Sequence, residues 1–283
     1  MKKIYKKQII GLTGSSGILG KYFIKNYNKK FIFKPYKGRV ENIINFKNWV
    51  KKNRNIDFFL HFAALTSVRK CEENSQKTFL INTKSTIRIL EILNKSSLKN
   101  LKYFLFISTS HVYKPSLNPL SEEDLRYPKT VYGKSKKLAE DYIFKRKKIF
   151  NFKIGIARIF NFYSKRQKSG FFITDILNKF RKKQKILNLK KINTYRDYIK
   201  LKDISKTISF ILKKKITKPI NIGSGHKIIL VNLVKQLIKA KKLNTKVIYD
   251  KKLYPGYVAN INLLRKLGYK KKINKFIFNK IKD

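Results

Sequence analysis

Acidic residues are scarce in this chain: 15 Asp and Glu stand against 69 Lys and Arg over 283 residues, a formal charge of +54. Cysteine is limited to Cys71, which excludes an internal disulfide and a cysteine-based metal centre and suits a reducing, cytoplasmic setting. No metal is expected. No run approaches eighteen consecutive apolar residues, so no membrane span is expected. The start MKKIYKKQII passes straight into a strand-like segment, without the apolar region and small-residue cleavage site of a signal peptide. Internal repeats, low-complexity arrays and flexible linkers are missing as well. What is present is 42% hydrophobic residues, enough to bury a large core in one α/β unit or in a larger domain with a smaller companion.

A charge of this size usually points to nucleic acid or an anionic membrane surface. Here the excess is almost entirely lysine, spread over the whole length beside abundant Ile, Asn, Phe and Tyr. A+T-rich codons specify those residues, so the pattern reads as genome composition. Arginine, the better group for bidentate phosphate and guanine contacts, is scarce, and no basic tail or aromatic-basic RNA motif occurs. Nucleic acid is therefore not expected as a partner. Small anionic ligands are favoured and drawn in faster.

The chain opens as strand, glycine-rich turn, helix, strand: QIIGLTG at 8–14, a helix from about Gly17 to Tyr27, then KFIFKP at 30–35. The alternation continues with a helix near 45–53, the strand IDFFLHFAA at 56–64, a helix from about Ser75 to Leu93, and the strand KYFLFIST at 102–109. Strands that are apolar in runs, without alternation, predict a parallel sheet covered on both faces. Pro115, Pro119 and Pro128 punctuate a loop leading to a helix with YGKSK, and FKIGIARIF at 152–160 reads as the next strand. A helix follows at about 171–182, then a charged stretch to Thr194, RDYIKLKD at 196–203, a helix to about Lys214, and PINIGSG at 219–225. The expected division is a doubly wound nucleotide-binding domain of 1–161 plus about 195–222, with an interleaved C-terminal lobe of about 162–194 plus 223–283.

Two motifs carry chemistry. In TGSSGILG at 13–20, Gly14, Gly17 and Gly20 occupy the turn between the first strand and helix. There the backbone can approach a pyrophosphate and the helix N-terminus offers free N–H donors. With strand before and helix after, the GxxGxxG spacing predicts a dinucleotide cradle of Gly14, Ser16, Gly17, Ile18, Leu19 and Gly20. Tyr132 and Lys136 stand four apart at a helix start, one above the other. The lysine charge is expected to favour tyrosinate and make the phenol a workable acid or base. The preceding strand ends in Ser108, Thr109 and Ser110, whose hydroxyls should emerge at the carboxyl edge of the sheet, where ligands bind.

Together these pieces resemble the extended short-chain dehydrogenase/reductase family of nucleotide-sugar epimerases, dehydratases and ketoreductases, over nearly the whole chain. HFAALTSV at 61–68 resembles the family's Ala-rich strand end beside the cofactor, and INTKST at 81–86 its Asn-x-x-Gly-Thr, with Ser85 in the glycine's place. STSHVY at 108–113, RIFNFYSKRQ at 158–167, RDYI at 196–199 and NIGSG at 221–225 resemble four further family elements in the family's order. The resemblance implies a Rossmann-type fold and a triad: Thr109 bonding the reacting oxygen, Tyr132 as acid/base, Lys136 on the cofactor ribose. It places Phe62, Ala63, Ala64, Leu65, Asn82 and Phe160 along the cofactor. Asn42 and Ile43 fall at the family's Asp-Ile pair near the adenine, without the carboxylate. Thr66, Ser67, Asn161 and Arg196 are implied at the substrate, a nucleotide-diphosphate sugar, the last suited to the diphosphate. Ser164 and Lys165 replace a glycine and a proline in the loop that follows. A homodimer is a possible assembly.

The family's dehydratases carry Asp-Glu directly after the catalytic Thr, whereas Ser110 and His111 stand here, which disfavours a dehydratase. His111 is a candidate second proton donor, because an imidazole titrates near neutrality; the alternative is a structural histidine at a strand end. His61 reads as a core residue and His226 as a loop residue. The second strand is followed by Lys34, Lys37 and Arg39, with no acid before Glu41. Basic groups there accommodate a 2′-phosphate, so NADP(H) is preferred and NAD(H) is the alternative. AALTSVRKCEEN at 63–74 and YPKTVYGKSKKLAE at 127–140 resemble dTDP-4-dehydrorhamnose reductases, while RDYI and NIGSG are more typical of 4-epimerases. Reduction of a 4-keto sugar is the first expectation and NAD-dependent 4-epimerisation the second. A non-catalytic relative that senses NADP(H) or binds RNA is a third, which loss of Tyr132 or Lys136 would favour; both are present.

Overall fold

The computed structural model of the protein describes residues 7–96 and 98–273. The apolar run IIGLT forms β1 (Ile9–Thr13), followed by α1 (Ile18–Tyr27), β2 (Ile32–Pro35), α2 (Ile43–Lys52) and β3 (Phe58–His61). Next come α3 (Val68–Glu73), α4 (Ser75–Phe79), a π-helical turn (Leu80–Lys84), α5 (Ser85–Lys95), β4 (Tyr103–Thr109), α6 (Val131–Arg146) and β5 (Lys153–Ile159). These five strands pair in parallel, and β8 (Pro219–Ile222) joins β5 to complete a six-stranded sheet of order β2-β1-β3-β4-β5-β8. Between β5 and β8 lie α7 (Phe172–Arg181), β6 (Ile186–Asn188), β7 (Thr194–Arg196) and α8 (Leu201–Lys214), so the crossover into β8 carries part of the lobe. The strand order reverses at β1 and β3, which opens a crevice at their carboxyl ends.

Alternate residues of the strands feed two cores. Ile10, Leu12, Phe58, Leu60, Tyr103 and Leu105 pack with Phe23 of α1 and Ile204, Ile208, Ile211 and Leu212 of α8 on one face. Phe59, Phe104, Phe106 and Ile154 pack with Phe46 and Val50 of α2, Ile89, Leu90 and Leu93 of α5, and Ala139 and Ile143 of α6 on the other. Trp49 belongs to this second face, edge-on or stacked against Tyr36, Phe46 and Phe59. Cys71 is fully buried. His226 lies in an exposed loop.

After β8 the chain forms β9 (Ile228–Ile229), α9 (Leu230–Ala240), β10 (Lys246–Ile248), β11 (Tyr254–Tyr257) and α10 (Asn262–Lys266). β6 pairs with β10, and β7 lies between β11 and β9. α7 and α9 bury Ile176, Leu177, Phe180, Leu233, Val234 and Leu237 in a separate lobe core. A smaller cluster of Val112, Tyr113, Leu120, Phe160, Tyr257 and Ala259 joins the lobe to the sheet edge.

The structure differs from the sequence expectation in three places. The helix expected from Ser75 to Leu93 is interrupted by the π-helical turn, and a further short helix, α3, precedes it. β7, expected with the larger domain from about residue 195, pairs among the described residues with β9 and β11 of the lobe. Leu264, Tyr269 and Ile273, expected in the lobe, return to the core of the large sheet. Among the described residues, no helix is long and apolar enough to cross a membrane.

Candidate active site

The turn after β1 is set by close backbone approach. Gly14 has φ +69, and a Cβ there would lie 2.6 Å from the Ala63 amide nitrogen, so the turn is pressed against the end of β3. A Cβ on Gly20 would lie 2.3 Å from the Gly14 carbonyl oxygen, which seats α1 directly on the turn. Gly17, the N-cap, contributes no side-chain cap, and the first helical bond runs from the Lys21 N–H to the Gly17 carbonyl. The N–H groups of Ile18, Leu19 and Gly20 therefore have no helical acceptor and sit at the positive end of α1. Beneath them, the Thr13 hydroxyl bonds His61 Nδ1 at 2.7 Å, and His61 Nε2 bonds the Thr86 hydroxyl at 2.9 Å. Burial, with the Lys136 charge adding to it, pulls His61 down to about 3, so it is a neutral core strut.

The segment after β3 is held from behind. The Asn82 carboxamide accepts from the Leu65 N–H at 2.8 Å and donates to the Leu65 carbonyl at 2.9 Å and to Ser135 Oγ at 3.0 Å. Those bonds occupy both ends of its side chain and fix the backbone at Leu65, the end of this segment. Ser85, standing where the family has glycine, donates its hydroxyl to the Leu80 carbonyl across the π-helical turn. Thr66 is exposed, and Ser67 caps α3 while its hydroxyl approaches the Gly170 carbonyl at 3.4 Å. The Asn42 side chain accepts from the Asn45 N–H at 3.0 Å as the N-cap of α2, which begins with Ile43. Lys34, Lys37 and Arg39 are exposed at the end of β2 and beyond it.

Thr109 ends β4, and its Oγ1 accepts from the His111 N–H at 3.2 Å and is hydrogen-bonded to Tyr132. α6 presses against this strand end, since a Cβ on Gly133 would lie 2.2 Å from the His111 carbonyl oxygen. Thr130 caps the helix by accepting from the Gly133 N–H at 3.0 Å, which places Tyr132 and Lys136 on its first two turns. Burial pushes the Tyr132 phenol up, opposed by the Thr109 bond. Lys136 is buried, its Nζ lies 3.9 Å from the Phe106 ring centroid, and that Nζ has no hydrogen-bond partner among the described residues. Burial pulls Lys136 down to about 7, opposed by Glu140. The expected lowering of the phenol by Lys136 is thus not what these side chains produce; burial dominates, and the phenol is held neutral.

His111 stacks on Tyr257 at 4.9 Å and lies 5.7 Å from the Tyr132 ring. Its Nδ1 is buried without a partner among the described residues. Burial, then the Arg196 charge, pull its imidazole down to about 3. Titration near neutrality is therefore corrected to a neutral ring. Arg196 lies over the other aromatic of this group, Tyr257, at 5.2 Å and donates to the Tyr195 carbonyl at 2.8 Å. Among the described residues it forms no ion pair with a carboxylate. The Asn161 N–H donates to the Asp197 carbonyl at 3.0 Å, and Phe160 is buried in the cluster joining lobe and sheet. The Asp197 carboxylate accepts from the Ser224, Gly225 and Ala259 N–H groups, which ties RDYI to NIGSG. Gln167 closes the loop containing Ser164 and Lys165, accepting from the Ser164 N–H and donating to the Phe162 carbonyl.

Tyr257, Glu140 and Arg158 were not singled out by sequence reasoning. Tyr257 carries no sequence signal, because its place beside His111 depends on a strand 146 positions further on. Glu140 had one: it follows Lys136 by four on the same helix, which places it on the same face. The free N–H groups of α1 and the unpartnered, buried Lys136 Nζ fit a dinucleotide, one end offering donors to a diphosphate and the other a cation to hydroxyl groups.

The profile of the NAD dependent epimerase/dehydratase family matches residues 10–223. The chain belongs to that family and is an enzyme that works with a nicotinamide cofactor. It is 30% identical to a GDP-6-deoxy-D-talose 4-dehydrogenase of Aggregatibacter actinomycetemcomitans over 76% of this chain and 74% of that one. It is 26% identical to a putative UDP-glucose 4-epimerase of Methanocaldococcus jannaschii over 94% of each. The fold is that of RMD from Pseudomonas aeruginosa, solved with NADPH, at a TM-score of 0.82 and 20% identity over 96% of this chain and 95% of that one.

Proposed function

We propose that this enzyme reduces a 4-keto group on a nucleotide-linked sugar, with NADP(H) as the preferred cofactor. The observation that carries this reading is the buried trio at the end of β4 and the start of α6. There a Tyr132 phenol kept protonated by burial is bonded to Thr109, and one turn on lies a Lys136 Nζ without a protein partner. A neutral phenol is a proton donor, the role that reduction of a carbonyl requires. When bound, the nicotinamide supplies the hydride. Tyr132 delivers a proton to the developing alkoxide, and the Thr109 hydroxyl holds that oxygen in line. Lys136 orients the cofactor through its ribose hydroxyls.

The other residues take supporting roles. Ser16, Gly17, Ile18, Leu19 and Gly20 offer backbone donors to the pyrophosphate, beside Gly14 and the segment Phe62, Ala63, Ala64 and Leu65. Lys34 and Arg39 lie where a 2′-phosphate would be neutralised, Ile43 flanks the adenine, and Phe160 backs the nicotinamide end. Arg196, without a carboxylate partner among the described residues, is available to the substrate diphosphate together with Asn161, and Thr66 and Ser67 line the mouth. His111, as a neutral imidazole, can make one directed hydrogen bond to the sugar but cannot act as a cationic acid. The relation to a 4-dehydrogenase of a GDP-deoxysugar supports carbonyl chemistry at C4.

The test is incubation with NADPH or NADH and 4-keto forms of UDP-, GDP- and dTDP-sugars, read by cofactor absorbance and product NMR. Stoichiometric oxidation of NADPH is expected. The second reading, an NAD-dependent 4-epimerase, is favoured by the alignment with the putative UDP-glucose 4-epimerase over 94% of each chain. Inversion at C4 of a UDP-sugar without net change in cofactor would establish it and exclude the reductase.

A further inference from the structure

A second set of buried polar residues lies directly behind the trio. Glu140, two turns after Tyr132 on α6, is fully buried. Its Oε1 accepts from the Ser108 hydroxyl at 2.5 Å and from Arg158 Nε at 3.1 Å, and its Oε2 accepts from Arg158 Nη2 at 2.7 Å. Arg158, on β5 and 1% exposed, donates onward through Nη1 to the Tyr113 hydroxyl at 2.7 Å and to the Glu122 carbonyl at 2.9 Å. Tyr113 then donates to Asn221 Oδ1 at 2.7 Å on β8. One carboxylate thus joins the helix that carries Tyr132 to the strand residue adjacent to Thr109.

Stability alone is a poor account of this network. A buried ion pair replaced by apolar groups of similar volume is often no less stable, because desolvation offsets the Coulomb attraction. The buried face of α6 is also short of apolar contacts: besides Tyr132 it consists of Gly133, Ser135, Lys136, Ala139, Glu140 and Ile143. Such a face leaves much of the helix's axial position to directed contacts: the close approach at Gly133 and the Asn82 and Thr83 bonds to Ser135 hold its first turns, and the Ser108 and Arg158 bonds hold it further along.

We infer that Glu140, paired with Arg158, is a positioning residue that holds Tyr132 in register with Thr109 and gives Lys136 its counter-charge. The inference rests on the proposed use of this trio in hydride transfer. The titratable groups facing Lys136 are Glu140 and Tyr132 on its own helix and the neutral His61 from β3; Phe106 of β4 covers it without charge. Glu140 is the one that favours the protonated amine. Removing its charge makes Lys136 lose its proton at lower pH.

The test uses the full chain with Glu140→Gln and Arg158→Met together, so that the Arg158 charge is not left buried without its carboxylate; Arg126, which also reaches Glu140 at 3.4 Å, keeps Asp141 at 2.7 Å. NADPH binding is followed by fluorescence across pH, alongside kcat and thermal melting. The expected result is a cooperatively folded protein whose alkaline loss of NADPH affinity begins at lower pH than in the wild type. Its kcat should be lower by about 100-fold, the size of a displacement of about 1 Å in the reacting groups. A folded double variant with wild-type pH dependence and wild-type kcat would overturn the inference. If that variant does not fold, Ser108→Ala decides: it leaves the ion pair in place and removes only the bond to the strand. Its kcat should fall while the pH dependence of NADPH binding is kept, and an unchanged kcat would overturn the positioning role. The binding measurement needs no sugar, so failure of the reductase reading shows separately, in the wild-type substrate panel.

Discussion

Helices α6 and α9 are both packed against strands, yet they are held by different means. α9 buries Leu230, Val231, Leu233, Val234 and Leu237, an apolar stripe at helical spacing. α6 buries Tyr132, Ser135, Lys136 and Glu140 among its inward residues. The first helix is stabilised by removing apolar surface from water, the second by satisfying polar groups against β4 and β5. A helix of the first kind tolerates small shifts, because burial has no direction. A helix of the second kind is fixed by hydrogen bonds with definite geometry, which is what proton transfer to a particular oxygen needs.

Substitutions on the two helices should separate these roles. Tyr132→Phe should lower kcat by about a thousandfold while the melting temperature and NADPH affinity change little, as kinetics and calorimetry would show. Leu233→Ala should do the reverse, costing about 2–5 kcal/mol in denaturant unfolding while the folded fraction keeps its kcat. Lys136→Met removes a buried amine without a partner and should stabilise the cofactor-free protein by about 1–3 kcal/mol, while NADPH binding weakens. The sign follows from protons. Lys136 is protonated up to about 7 in the folded chain and up to the ordinary lysine range when unfolded, so the unfolded state binds more protons in between. Stability of the free wild type should therefore rise with pH through that window, and the Met variant should lack the rise. The smallest effect is expected away from both helices: Arg39→Ser should reduce the preference for NADPH over NADH by about tenfold, the equivalent of one charge-assisted hydrogen bond.

The sheet and the first βαβ unit were legible because their strands are apolar in runs and their turn has glycines at Gly14, Gly17 and Gly20. Thr109, Tyr132 and Lys136 were legible as a group because a strand end and a helix start bring them to one edge. The lobe was less so. β9 has two residues and β6, β7 and β10 three each, too short for a period of two to register. β6 also pairs with β10 across 60 positions. α3 has the sequence VRKCEE, with only Cys71 buried, so it has no apolar stripe to announce it. The states of His111 and Lys136 were illegible for a different reason. Composition shows how many charges a chain has but not which of them lie behind a wall of aromatic rings, and burial sets both.

The chain's return to the large sheet governs the order in which the protein can be finished. Leu264, Tyr269 and Ile273 lie beside Ile204, Ile208 and Ile211 in the core on one face, yet they are separated from β8 by most of the lobe. During synthesis the last strand of the sheet is in hand well before the residues that seal that face. The nascent sheet must therefore wait, with part of its apolar face open to water, until the lobe has been made. A fragment ending at β8 would contain all six strands and the two helix turns that carry Tyr132 and Lys136, and would still lack the cover that completes its own core.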